Sequence, residues 1–290
     1  MPIKCRRKND PYSHLEVVHV DSGDRLCVVP ERGGLITEWC SKGKDILYFD
    51  LERFRDKNKS VRGGIPILFP ICGELSADRL QLDNRKINLN QHGFARDHAW
   101  EMKLIDKKNS FALTFSDNEM TRASYPYLFS IEMEIRLEKS LIDFSIIVHN
   151  RGQESMPFSF GLHPYFNISD LSKIKLKGLS KNCIDQHNMI DGLTSDQTSN
   201  FLDGVDFLCG PSKSITITDS LPGINLLMQQ QEPMDLTVVW TDPPRSMICV
   251  EPWTSPRNSL VTGEKRLLIN PGSKQKLSCR FCCLDNGSNF

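Results

Sequence analysis

The strongest constraint on how this chain folds is an alternation of period two. In the segment SLIDFSIIVH, Ile142, Phe144, Ile146 and Val148 fall on one side, while Asp143, Ser145 and His149 fall on the other. Just upstream, Ile131, Met133, Ile135 and Leu137 alternate with Glu132, Glu134, Arg136 and Glu138. Successive side chains of a strand point to opposite faces, so this pattern makes two half-buried β-strands and is wrong for a helix. The segments SITITD, MDLTVVW, SMICVEPW and KQKLSCRFCCL read as further strands. Turn residues separate them: Asn150-Arg151-Gly152, Pro222-Gly223, Asp242-Pro243-Pro244 and Pro271-Gly272.

Helical signals are sparse. SDNEMTRAS supports a turn or two capped by Ser116 or Asp117, and LTSDQTSN reads as a surface loop. No strand–helix–strand rhythm is present. The expectation is an all-β chain: a large twisted antiparallel β-sandwich, with residues 1–290 as a single domain.

Charge and cysteine content narrow the function. Lysine plus arginine and aspartate plus glutamate number 36 each, so the formal net charge is zero. That balance gives no general attraction for nucleic acid or an acidic membrane, and neither is expected as a partner. The start, MPIKCRRKNDPYSH, lacks the apolar stretch of a signal peptide, and no apolar run spans a bilayer, so a cytoplasmic protein is expected. The ten cysteines are then expected to be reduced. Cys279 and Cys282 match CxxC formally, but on a strand they face opposite ways. His92 and His98 have no carboxylate or cysteine set beside them, so no metal is expected. Neither a phosphate-binding glycine loop nor a GxSxG elbow occurs. Cys282-Cys283 and the basic KCRRK start carry no functional reading.

Four stretches break the strand-and-turn pattern: VRGGIPILFPICGEL, QHGFARDHAW, FSFGLHPYF and CVEPWTSP. Such conflicts are expected where regularity is given up for a site. His163, between Gly161-Leu162 and Pro164, marks a strand that ends or bends. It is either a buried histidine or a proton-transfer group at a rim. Glu251 shares a strand face with Met247 and Cys249, opposite Ile248 and Val250. Apolar surroundings raise a carboxyl pKa, which suits a general base, unless the side chain swings to solvent. His92 and Arg96 in HGFAR are hydrogen-bond donors within reach of a sugar. Arg62 precedes two glycines that would let backbone approach a ligand. For either arginine the plain alternative is a surface or loop-fixing ion pair. His14 and His98 read as ordinary.

In this order, RGGIPILFP, HGFAR, GLHPYF and EPW resemble the aldose 1-epimerase (mutarotase) superfamily, nearest the branch that includes hexose-6-phosphate mutarotases. Weaker support comes from YPYLFSIEMEIRL and from VDFLCG followed by SITITD. The similarity runs from about Gly33 to Phe281. It implies a galactose-mutarotase-like sandwich with an open sugar cleft and a cofactor-free interconversion of α and β anomers. By that resemblance His163 is the general acid to the ring oxygen and Glu251 the general base on the anomeric hydroxyl, on opposite sides of the hemiacetal. Arg62, His92, Arg96 and Asp206 are substrate-binding, with Arg62 and Arg96 placed to hold a phosphate. The partner is a small sugar or sugar phosphate, and the chain a monomer or weak dimer. Two alternatives stand beside this reading. A non-catalytic sugar-binding or regulatory protein would not need both His163 and Glu251. A hydrolase would need two carboxylates flanking a glycosidic bond, which Asp206 and Glu251 would have to supply. For the flanking rings, Phe158 and Phe160 are expected in the core, with Tyr165 and Phe166 bracing His163.

Overall fold

A computed structural model of the chain describes residues 3–75, 80–82, 85–105, 109–219 and 225–285. The Pro222-Gly223 turn lies outside them. Two eight-stranded antiparallel sheets dominate. In the first, the alternating segments Phe129–Glu138 and Leu141–Asn150 pair directly, Ile135 opposite Phe144 and Met133 opposite Ile146. Burial follows the sequence pattern residue by residue along Leu141–Asn150. The second sheet centres on Met247–Trp253, flanked by Leu236–Trp240 on one side and by the short segments Gly161–Leu162 and Tyr165–Asn167 on the other.

The two sheets share one apolar core. Ile135, Phe144 and Phe281 of the first join Phe207, Ile248 and Val250 of the second in a single cluster with Phe158 and Phe160. The Phe166 ring meets Phe281 at 5.5 Å between centroids. Phe166 therefore ties the sheets together and does not brace His163, correcting that expectation. The basic Ile3–Lys8 segment is the outer strand of a five-stranded sheet, where Lys8 Nζ lies 2.5 Å from Glu16.

Two short helices differ from expectation. The helix Glu119–Ser124 starts later than Ser116 or Asp117 would cap it. Asn118 Oδ1 accepts from the Thr121 amide at 3.0 Å, and Thr121 Oγ1 accepts from the Asn118 amide at 2.9 Å, a reciprocal capping box. Asp117 instead accepts from the Phe129 amide and fixes the strand that follows. The segment read as a loop contains one helical turn, Thr194–Thr198. All ten cysteines are free thiols.

Candidate active site

Strand register builds the floor of a cleft of about 300 Å³. Asp206 pairs with Trp240, Val238 with Glu251, and Trp240 with Cys249. Alternation then puts Asp206, Val238, Trp240, Glu251 and Trp253 on one face of the sheet. Ile248 and Val250 enter the core from the opposite face.

His163 reaches this floor by the same register. Gly161 pairs with Trp253, and Tyr165 with Cys249, so His163 falls opposite Glu251. Pro164 has no N–H to continue the ladder, and pairing lapses at that point. The His163 amide donates to the Pro66 carbonyl at 3.0 Å instead. Its Nε2 stands 3.3 Å from Glu251 Oε1. The two side chains are thus neighbours on one wall of the cleft.

Packing aims the imidazole. Tyr165 stacks on it at 4.7 Å and 15°, and Trp240 meets its edge at 5.8 Å. Its Nδ1 is buried with no hydrogen-bond partner among the described residues, so ring contacts set its orientation. Glu251 is held by Trp253, whose Nε1 donates to Oε2 at 3.0 Å. Gly161 permits that arrangement: a Cβ there would come within 2.7 Å of Trp253 Cδ1.

The pair resists charge. Burial first, then the positive charge of Arg96, pushes His163 down to about 3. Burial first, then the charge of Asp206, pushes Glu251 well above its usual range, against the Trp253 hydrogen bond. Both shifts favour the uncharged forms of the two side chains on this wall.

His92 closes another side of the cleft. Its Nδ1 accepts from the Gly73 amide at 3.0 Å, so the neutral ring carries its proton on Nε2. Burial lowers its pKa well below the ordinary value, assisted by the charge of His163. His92 therefore presents a fixed N–H donor; its ring centroid is 5.7 Å from that of His163.

Arg62 and Arg96 both line the cleft. Arg96 donates to the Gln91 carbonyl at 2.9 Å, and the Arg62 guanidinium lies 5.8 Å from the centre of the Trp240 ring. Neither forms a salt bridge among the described residues. The glycines after Arg62 relieve crowding within the chain: a Cβ on Gly63 would strike Phe49 Cα at 2.5 Å, and one on Gly64 the Ile36 carbonyl at 2.3 Å.

Asp206 is tied into a network that sequence reasoning missed. Its Oδ1 accepts from Gln186 Nε2 at 2.7 Å, and its Oδ2 from Arg257 at 3.1 Å. Arg257 Nε also donates to Gln186 Oε1 at 2.8 Å. Two of the roughly four acceptor positions of the carboxylate remain for a ligand. Arg257 stands six residues after Glu251, and its position just past EPWTSP was the one available signal. Gln186 had none. His98 stacks on Phe115, and His14 bonds the Tyr12 carbonyl, both away from the cleft.

A β-sandwich with a cleft floored by adjacent imidazole and carboxyl groups holds the side-chain types that acid–base chemistry uses. The family model for aldose 1-epimerase matches residues 16–282, and the chain belongs to that family. Membership makes it an isomerase of the mutarotase type, with a sugar as substrate. Among solved structures, the Slr1438 protein from Synechocystis sp. PCC 6803 is 33% identical with a TM-score of 0.89, over 93% of this chain and 95% of that one. A galactose mutarotase-like protein from Clostridium acetobutylicum shares the fold at 18% identity, with a TM-score of 0.81 over 98% of both chains. A protein of Escherichia coli (strain K12) named "Putative glucose-6-phosphate 1-epimerase" is 25% identical over 285 residues, 91% of this chain and 90% of its own length. Among the described residues no helix is long and apolar enough to cross a membrane.

Proposed function

We propose that the chain interconverts the α and β anomers of a hexose 6-phosphate, with His163 and Glu251 as the acid–base pair. The observation that carries this reading is the 3.3 Å approach of His163 Nε2 to Glu251 Oε1 on the cleft floor. The ring oxygen O5 and the anomeric O1 are bonded to the same carbon. Two groups serving them must therefore be close neighbours, as these are.

Once the carboxyl proton of Glu251 has passed to His163, Glu251, as carboxylate, takes the proton from O1, while His163, as imidazolium, gives one to O5. The C1–O5 bond breaks and the open aldehyde forms. The pair is left as carboxylic acid and neutral imidazole, the uncharged form that burial favours. After rotation about the C1–C2 bond the same protons return, and the ring closes on the other face of the carbonyl. Neither the proton count nor the net charge of the pair changes through the cycle. Each positioned group supplies about 10²–10⁴-fold, and both acting as a unit supply less than the product.

Arg62 and Arg96 support the phosphate. Both line the cleft without a carboxylate partner among the described residues, and guanidinium groups suit a phosphate dianion. His92 Nε2–H and the free acceptor positions of Asp206 address sugar hydroxyls. The name of the Escherichia coli relative agrees with this substrate class.

NMR exchange spectroscopy on glucose, galactose and their 6-phosphates tests the assignment. Accelerated anomer exchange with a higher kcat/KM for a 6-phosphate is expected. Faster turnover of the free sugars would remove the phosphate from the account.

A further inference from the structure

A thiol lies at the same spot as the acid–base pair. Cys249 precedes Glu251 by two residues on the same strand face and is fully buried. One ring nitrogen of His163, Cys249 Sγ and a Glu251 carboxylate oxygen all lie within 4.8 Å of one another. No other group of three such side chains comes this close among the described residues. The Cys249 thiol has only a long contact to Met247 Sδ, 4.0 Å, as its hydrogen bond. Anomer exchange has no use for sulfur at this position.

We propose that His163, Cys249 and Glu251 form a Zn²⁺ site whose occupation blocks the sugar site. Nitrogen, thiolate and carboxylate are the three donor types that zinc takes, at roughly 2.0–2.3 Å. Donors around one tetrahedral ion at those lengths stand roughly 3.3–3.8 Å apart, so modest rotation about the side-chain torsions closes the set. Thiolate and carboxylate together balance the dication, which leaves no net charge to bury. Binding displaces the thiol proton and any proton on the carboxyl to solvent. His163 and Glu251 both line the cleft, from which a water would fill the fourth position. Among the described residues the other thiols lack such a set: Cys27 contacts Glu38 at 3.1 Å, but that carboxylate is already engaged by Arg25. Metal binding follows from these three side chains alone. The mutual exclusion of metal and sugar rests, in addition, on the sugar-phosphate reading above.

Cobalt(II) reports both. Titrating the reduced, metal-free protein with Co²⁺ is expected to give, at one equivalent, visible bands of tetrahedral intensity and a near-ultraviolet sulfur-to-cobalt band. Added Zn²⁺ should displace them. Cys249→Ala should abolish the sulfur band, and Glu251→Gln, nearly isosteric and a second check if the alanine variant folds poorly, should weaken Co²⁺ binding at least tenfold. A sulfur band of unchanged intensity in Cys249→Ala, or unchanged affinity in Glu251→Gln, overturns the site. Saturating glucose 6-phosphate should bleach the cobalt bands in the wild type. Full anomer exchange with the cobalt bands intact would overturn the blocking role alone. Failure of the metal-free protein to exchange anomers would count against the sugar reading and leave the metal site standing.

Discussion

Trp253 Nε1 donates a 3.0 Å hydrogen bond to Glu251 Oε2, leaving Oε1 to face His163. The indole fixes which carboxyl oxygen faces the imidazole, and it opposes the upward push of burial on Glu251. Trp253→Phe keeps most of the ring volume and removes the donor. Hydrogen bonds to charged groups are worth about 1.5–3 kcal/mol, so kcat should fall roughly 10- to 100-fold with KM little changed. Steady-state kinetics on the preferred sugar checks this. A change confined to KM would place Trp253 in substrate binding instead.

Tyr165 orients the imidazole by its face, stacked on His163 at 4.7 Å. Tyr165→Phe keeps that face and should stay near wild-type activity. Tyr165→Leu frees the ring about its χ torsions and should lower kcat about tenfold, a loss of about 1.4 kcal/mol in transition-state stabilisation. Equal activity of the two variants would show that the stack does not position His163.

Arg62 and Arg96 should separate phosphate recognition from sugar recognition. Arg96→Ala and Arg62→Ala are each expected to raise KM for a hexose 6-phosphate by about tenfold or more, with little effect on the free hexose. Parallel losses on both substrates would mean that the arginines organise the cleft and do not hold the phosphate.

His92 predicts a pH dependence of stability. Its pKa in the folded protein lies well below the ordinary 6.5, chiefly through burial. Below about pH 6.5 the unfolded chain takes up this proton and the folded one resists it. The stabilisation is complete above the unfolded pKa and is lost as pH falls. Its slope reaches about 1.4 kcal/mol per pH unit. His92→Asn keeps an acceptor for the Gly73 amide and suits the positive φ of 66° at this residue. Denaturant unfolding from pH 7 to pH 5 should therefore show a shallower loss in His92→Asn than in the wild type. Parallel profiles would mean that His92 titrates normally.

The sheet was legible because its constraint is local. Ile142 through Val148 alternate, and the structure alternates with them. The faces of Glu251 and Ile248 followed from the same rule. What alternation along one strand cannot give is register across two. That His163 falls opposite Glu251 depends on Gly161 meeting Trp253 and Tyr165 meeting Cys249, pairs brought together from opposite ends of long connections. The same limit hid the Arg257–Gln186–Asp206 network, whose members lie up to 71 residues apart. Phe166 was misplaced for a related reason. One residue beyond Tyr165, it faces the other way and packs on Phe281. Gly63 and Gly64 looked like a ligand-approach loop, and only the nearness of Phe49 and Ile36 shows that they relieve contacts within the chain.

His163 and Glu251 are expected to move the two protons of ring opening as one unit. Two-dimensional NMR exchange spectroscopy on equilibrated hexose 6-phosphate anomers should compare the wild type with His163→Asn, Glu251→Gln and the double variant. Each single variant is expected to slow catalysed exchange by at least about 10²-fold, and the double variant should be scarcely slower than either single one. Exchange near the wild-type rate in either single variant would contradict the assignment.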